Sequence, residues 1–272
     1  MRKTIRFLIP GLLIMLLASC VTSPTGRSQL MLISPETAIA ESEKAYINTV
    51  NTYEKENKLV KEGPLTRRVQ TITGRLVAVA EKRYSQTRNW KWSVAVIDDP
   101  ETINAWAMAG GRMAVYTGLI DKLNLTDAEL AQIMGHEISH AIANHTAEQM
   151  SVAIATQLGV TAVGIATDAS DRTMTATAIA AQLAVTLPYS RTAESEADRL
   201  GIELAARAGY DPNAAISLWQ KMEKVGGSGP PEFLSTHPAP GNRQKALSAL
   251  VPEMRKLQPK VLGPVAPVTL AR

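Results

Sequence analysis

A single cysteine, Cys20, occurs in 272 residues, so no disulfide can form within the chain. Stability must then come from a hydrophobic core and, where one is held, a metal. Aromatic residues make up only 4% of the chain, and no basic cluster is interleaved with them. Nucleic acid is therefore not an expected partner. A long apolar run is missing too. Phe7 to Leu17 is too short to span a bilayer and is broken by Pro10-Gly11. Ser151 to Leu187 is rich in Ala, Val, Ile and Thr, but Asp168, Asp171 and Arg172 interrupt it. It reads as one or two well-buried helices, with membrane contact the lesser alternative. Histidine is scarce: His136, His140, His145 and His237 are all there are.

What is present begins with a targeting segment. Arg2, Lys3 and Arg6 form a basic start, followed by the apolar Phe7 to Leu17. This leader holds three of the 29 basic residues and none of the 25 acidic ones, so the formal charge of +4 falls to about +1 without it. The segment ends in Leu17-Ala18-Ser19-Cys20, which resembles a bacterial lipobox. The resemblance implies cleavage before Cys20 and a lipid anchor on it, with residues 1–19 as signal peptide. Val21, where Asp would signal retention, suggests the inner leaflet of the outer membrane, facing the periplasm. Residues 20–34 read as a tether containing Ser, Thr, Gly and Pro.

A folded unit is expected over residues 35–256. Ser34-Pro35-Glu36 is a helix start, with Ser as cap and Pro at the first helical position. That helix runs to about Val60, and Gly63-Pro64 breaks it. Leu65, Val69, Ile72, Leu76 and Val79 step by four and three, giving a second amphipathic helix. Trp92 to Ile97 reads as a strand. Ile103 to Ala107 and Arg112 to Tyr116 are two more, joined at Gly110-Gly111. The plain reading of these strands is a small structural sheet. The sharper one makes Asn104, Ala105 and Trp106 an edge strand over a cleft, free to pair with an extended peptide. Residues 257–272, with three prolines and one glycine, read as a flexible tail.

The chemistry concentrates in Thr126 to His145. Thr126 and Glu129 have capping-box spacing, and Leu130, Ile133, Met134 and Ile138 recur with helical period. Within that helix lies His136-Glu137-Ile138-Ser139-His140, an HExxH motif. Residues four apart share a helix face, so both imidazoles can address one ion while Glu137 stands beside it to activate water. About one chain in a hundred of this length would carry the pattern by composition alone. A solvated helix with two surface histidines is the bland alternative, and the clustering of so few histidines counts against it.

A third ligand is needed. Glu194 and Asp198 lie four apart on a predicted helix, Glu194 as ligand and Asp198 as acceptor for a ligand histidine's free N–H. The rival for these residues is an ordinary charged helix face. His145, nine residues beyond His136, falls about 180° round an unbroken helix and points away. It is expected to pack or to sit behind the ligands.

HEISHAIANH, the later ESEADRLG and FLSTHPAPGNR (Phe233 to Arg243) occur in an order and spacing that resemble one family. It is the zinc metalloendopeptidase family that includes HtpX and the CAAX prenyl endopeptidase, with envelope members of the LoiP and BepA kind most similar. Asn104 to Ile120 resembles the segment before the family's zinc helix, although Ala109 stands where many members have Pro. The resemblance covers Asn104 to Arg243. It implies an α+β, mainly α, zincin-like fold with one Zn2+ per chain on His136, His140 and Glu194. It makes Glu137 the general base. His237 becomes a loop residue that either ligates the metal or stabilises an oxyanion, supported by Arg243. Expected partners are unfolded or extended proteins, the membrane through Cys20, and envelope assembly machinery. A chaperone or assembly factor with a latent metal site is the alternative, and a purely structural lipoprotein a third.

Overall fold

The computed structural model describes residues 20–167, 191–225, 232–237, 242–263 and 265–271. The expected signal peptide, residues 168–187 of the apolar stretch and the glycine-rich segment before His237 lie outside them.

Helix α1 (Pro35–Lys55) starts as its sequence demands, with the Ser34 side chain accepting from the Thr37 N–H and Pro35 in the first turn. Helix α2 (Pro64–Arg83) follows the break at Gly63. A sheet is then assembled from β3 (Ser93–Ile97), β4 (Ala105–Met108) and β5 (Arg112–Tyr116). The preceding β1 (Cys20–Thr22) and β2 (Ser28–Leu30) form a separate antiparallel hairpin. In the main sheet the order is β4-β5-β3-β6, with β6 at Thr269–Leu270. The β4–β5 pair is antiparallel, while β3 runs parallel to both β5 and β6. Gly110 and Gly111 make the β4–β5 turn with φ of 85° and 84°, a region an L side chain rarely enters.

Both faces of the sheet are covered, which is why all five residues of β3 are buried. Val94, Val96, Met113 and Val115 enter the main core with Ile72 and Leu76 of α2. Their strand neighbours Ala95, Ile97, Ala114 and Tyr116 pack instead against Tyr46 and Val50 of α1. The alternation is the period of two that a pleated strand imposes.

Short α3 (Thr117–Lys122) leads into α4 (Asp127–Ile142), the helix of the HExxH motif. The capping box forms: the Glu129 N–H donates to Thr126, and the Thr126 N–H donates to Glu129 Oε2. From Glu129 to Ser139 every residue of α4 is buried, so it runs through the core rather than along the surface. Helix α5 (His145–Thr167), a helix over 191–207 (α6), α7 (Ala214–Val225), α8 (Glu232–Thr236) and α9 (Arg243–Arg255) complete the layer around it. The α+β, mainly helical class read from the sequence is the one found.

Three expectations fail. Residues 20–34 are not a free tether, since the β1–β2 hairpin docks with Ser23 and Gln29 buried. The tail is not loose either. Gln70 of α2 bonds both backbone groups of Val268, and β6 joins β3 as a parallel edge strand. Prolines 259, 264 and 267 masked this, because two paired residues suffice to anchor a segment whose remaining length needs no ladder. Helix α5 is not well buried: Ile154 and Leu158 are exposed. Among the described residues no helix is long and apolar enough to cross a membrane.

Candidate metal centre

His136 and His140 project from one face of α4, and Glu194 approaches from α6. The helices can come this close because glycines meet where they cross. A Cβ on Gly135 would stand 2.9 Å from the Gly201 carbonyl oxygen. His136 Nε2 and His140 Nε2 are 3.0 Å apart. Glu194 presents one oxygen to each, at 3.2 and 3.3 Å. His237, at the end of α8, places Nδ1 3.0 Å from Glu194 Oε1 and 3.3 Å from His136 Nε2. All four residues thus bring a donor atom to a common point.

The donor set fits zinc. A tetrahedral ion with bonds of ~2.0–2.1 Å holds its ligand atoms about 3.3 Å apart, close to the spacings above. Three protein ligands leave a fourth corner, and His237 Nδ1 lies there.

The groups behind the ligands orient them. His136 Nδ1 is 3.1 Å from Asp198 Oδ1, which fixes the proton on Nδ1 and turns the Nε2 lone pair inward. Arg243 is held by Asp198 and stacks its guanidinium 3.6 Å over the Trp219 ring. One of its nitrogens also lies 3.5 Å from Glu194 Oε2. Arg243 therefore stands behind the Glu194 carboxylate. Phe233 stacks on His237 with centroids 4.6 Å apart, and its backbone N–H donates to the Ile103 carbonyl.

Glu137 is rotated off the ligand face, as one helical step requires. Its Oε2 accepts from the backbone N–H of Ala107 at 3.2 Å. Among the described residues its Oε1 is buried without a hydrogen-bond partner, and His237 Nε2 lies 3.4 Å away. One oxygen is thus pinned to the edge strand and the other faces the cluster.

Charge at the site follows from burial against neighbours. Burial pushes the Glu137 carboxyl up from its ordinary value, against the pull of His237 and His136. For Glu194 burial acts upward, but His136, His140 and His237 outweigh it and hold the carboxyl below the usual range. His136 feels burial downward, yet Asp198 and Glu194 push it up to about 9. Burial keeps His140 well below its ordinary value.

The profile of Peptidase family M48 matches residues 65–251, which is most of the chain. The chain belongs to peptidase family M48. Among its relatives, the protein "Metalloendopeptidase OMA1, mitochondrial" of Bos taurus is 33% identical over 261 residues, 90% of this chain and 49% of the relative. Its human counterpart is 32% identical over 250 residues, 88% of this chain and 47% of the relative. The "Beta-barrel assembly-enhancing protease" of Yersinia pestis is 32% identical over 195 residues, covering 68% of this chain and 38% of that protein. The chain thus spans about half the length, or less, of these curated relatives. M48 peptidases are zinc enzymes, in keeping with the cluster of His136, His140 and Glu194.

Of the edge strand read as Asn104 to Trp106, Ala105 and Trp106 lie in β4, at the free side of the sheet and against α4, and Asn104 just precedes it. Its outward groups are partly engaged. Asn104 Oδ1 accepts from Ala105 N–H, and Asn104 Nδ2 donates to Glu232 of α8. His145 sits behind the ligands, as the sequence reading had it, but the unbroken helix assumed there is not what places it. The helix is not unbroken: Asn144 takes φ of 55° between α4 and α5, and His145 turns back to place Nδ1 2.8 Å from His140 Nδ1. Also missed were Glu196, which is buried, and the aromatic wall of Trp219 and Phe233. Nothing local marks Glu196 apart from Glu194, two positions away.

Proposed function

We propose that the chain is a zinc-dependent metalloendopeptidase of the bacterial envelope that hydrolyses extended or misfolded proteins. The observation that carries this reading is the unpartnered Glu137 oxygen beside the convergence of His136, His140 and Glu194. When bound there, zinc supplies a Lewis acid for the scissile carbonyl and lowers the pKa of a water toward ~7. The chain's own groups do the rest. His136, His140 and Glu194 hold the ion, with Asp198 setting the His136 tautomer. Glu137 Oε1 takes the proton of the attacking water and returns it to the leaving amine. An extended substrate lies along β4 and pairs with its backbone, which brings the peptide past Glu137. His237 Nδ1 fills the fourth corner and must leave it for a substrate to reach the ion.

The envelope assignment draws support from bacterial relatives named for β-barrel assembly and from the lipobox-like end at Cys20. It places the protein on the inner leaflet of the outer membrane, facing the periplasm, with envelope assembly machinery as partner. A second reading, a chaperone with a latent site, is favoured by one feature: His237 Nδ1 sits where a substrate or water would otherwise reach.

Zinc stoichiometry of the purified protein, together with a casein digest with and without chelator, tests both. About one zinc and chelator-sensitive cleavage support the peptidase. Stoichiometric zinc without cleavage supports the latent factor. Lack of stoichiometric zinc in a folded protein supports a structural lipoprotein.

A further inference from the structure

The β1–β2 hairpin reaches into the metal site through a chain of buried polar groups. His145, 2% exposed, lies behind the ligand His140 with the two Nδ1 atoms 2.8 Å apart. The other nitrogen of His145, Nε2, is 3.2 Å from Glu196 Oε2. Glu196 is 5% exposed and takes its remaining bonds from the hairpin. Arg27 Nε donates to Oε2 at 2.8 Å and Thr25 Oγ1 to Oε1 at 2.6 Å. The far end of the Arg27 guanidinium forms two 2.6 Å bonds to Glu148. Gln29 of β2 bonds Glu148 and the Ala143 carbonyl, at the bend that delivers His145.

With both rings neutral, the contacts fix the direction of each proton. A carboxylate only accepts, so His145 must carry its proton on Nε2 to donate to Glu196. Its Nδ1 is then an acceptor, and the 2.8 Å contact requires the proton of His140 on Nδ1. That tautomer leaves the His140 Nε2 lone pair free for the cluster. If His145 instead carried its proton on Nδ1, two N–H groups would face each other and His140 would be driven to the wrong tautomer. Glu196 therefore chooses the state of His140 through one intervening ring. Arg27 and Thr25 hold that carboxylate in its orientation.

We infer that His145 and Glu196 are positioning residues for the ligand His140, and that docking of the β1–β2 hairpin through Arg27 and Thr25 sets how tightly the site retains zinc. The inference rests on the reading of the cluster as a zinc site. It also gives the segment after Cys20 a role beyond connecting the domain to whatever precedes it: pulling the hairpin away loosens the metal.

The test measures zinc affinity of the full chain by competition with a chromogenic chelator, alongside the melting temperature of each zinc-free protein. His145→Ala, Glu196→Ala and Arg27→Ala should each weaken zinc binding about 10–100-fold, the usual cost of losing a group that orients a ligand. Gln70→Ala is the control, since it removes the side-chain bond from α2 to Val268 and loosens β6 without touching the hairpin or His145. It should lower the melting temperature as Arg27→Ala does and leave affinity within about twofold of the parent. Should Glu196→Ala fail to fold, the partly exposed Arg27 carries the test. Unchanged affinity in Arg27→Ala, or an equal loss in Gln70→Ala, would overturn the inference while leaving the zinc site intact. A parent protein that binds no stoichiometric zinc would instead overturn the reading beneath it.

Discussion

Gly201 lies against the backbone of His136: a Cβ there would stand 2.8 Å from its nitrogen and 2.9 Å from its Cα. Those atoms belong to a helix buried on all sides, so they cannot step aside as a side chain would. The contact fixes how near α6 comes to α4, and hence how near Glu194 comes to the histidines. Gly201→Ala is a sensitive probe because two effects oppose. Alanine stabilises a helix interior by ~1 kcal/mol relative to glycine. Overpacking against rigid backbone costs about 1–3 kcal/mol. Packing should win, with net destabilisation in urea and weaker zinc binding. A stabilised variant with parental zinc affinity would mean that the crossing does not set the ligand geometry.

Much of this was readable along the chain because the signals are local. Thr126 and Glu129 mark the start of α4, and the steps of Leu65, Val69, Ile72 and Leu76 mark α2 without reference to anything distant. The HExxH spacing works the same way, since one turn of helix decides which residues share a face. What escaped was decided by a single backbone angle or by long-range pairing. Asn144 in the left-handed region redirects His145 by an amount no periodicity contains. Glu196 looks like any acid on a charged helix until Arg27, 169 positions away, closes on it. The end of the chain likewise gains its structure from β3 and α2 rather than from its own composition.

Glu137→Gln separates binding from turnover. Glutamine preserves the shape of the side chain and can still accept from Ala107, and Glu137 is not placed to ligate the metal. Zinc content should therefore stay near one per chain, while casein cleavage falls by about 10²–10⁴-fold, the range for loss of a general base. Both are measured on one preparation, by metal analysis and peptide release. Parental cleavage by the glutamine variant would remove Glu137 from the reaction.

His237→Ala asks whether the loop closes the site or serves it. His237 Nδ1 stands between Glu194 and His136, and Phe233 braces its ring. If that contact holds the fourth corner shut by ~1.4 kcal/mol, its removal raises the competent population about tenfold. Cleavage of an unfolded substrate should then rise, with zinc retained by the three remaining ligands. A fall of similar size, at unchanged zinc content, would assign His237 to oxyanion stabilisation instead.

Glu129 links the helix cap to pH. Its carboxylate accepts from Thr126 N–H at 2.9 Å, Lys221 Nζ at 2.7 Å and Ser217 Oγ at 2.7 Å. Burial pushes the carboxyl up, but Lys221, Thr126 and Ser217 outweigh it, so the folded-state value lies below the ordinary one. A carboxyl depressed on folding stabilises the protein fully above its unfolded pKa of ~4.3, and that contribution fades as pH falls through the folded value. Glu129→Gln should therefore cost about 1–2 kcal/mol at pH 7, the worth of a charged hydrogen bond in a largely buried place. The difference from the parent should narrow by pH 3, below the unfolded pKa of ~4.3, where the unfolded chain's carboxyl takes up a proton. Urea titrations of both proteins at the two pH values, with chelator present to remove zinc as a variable, measure this directly. An equal penalty at pH 7 and pH 3 would locate the effect in hydrogen-bond geometry, and the charge on Glu129 would carry no part of the stability of α4.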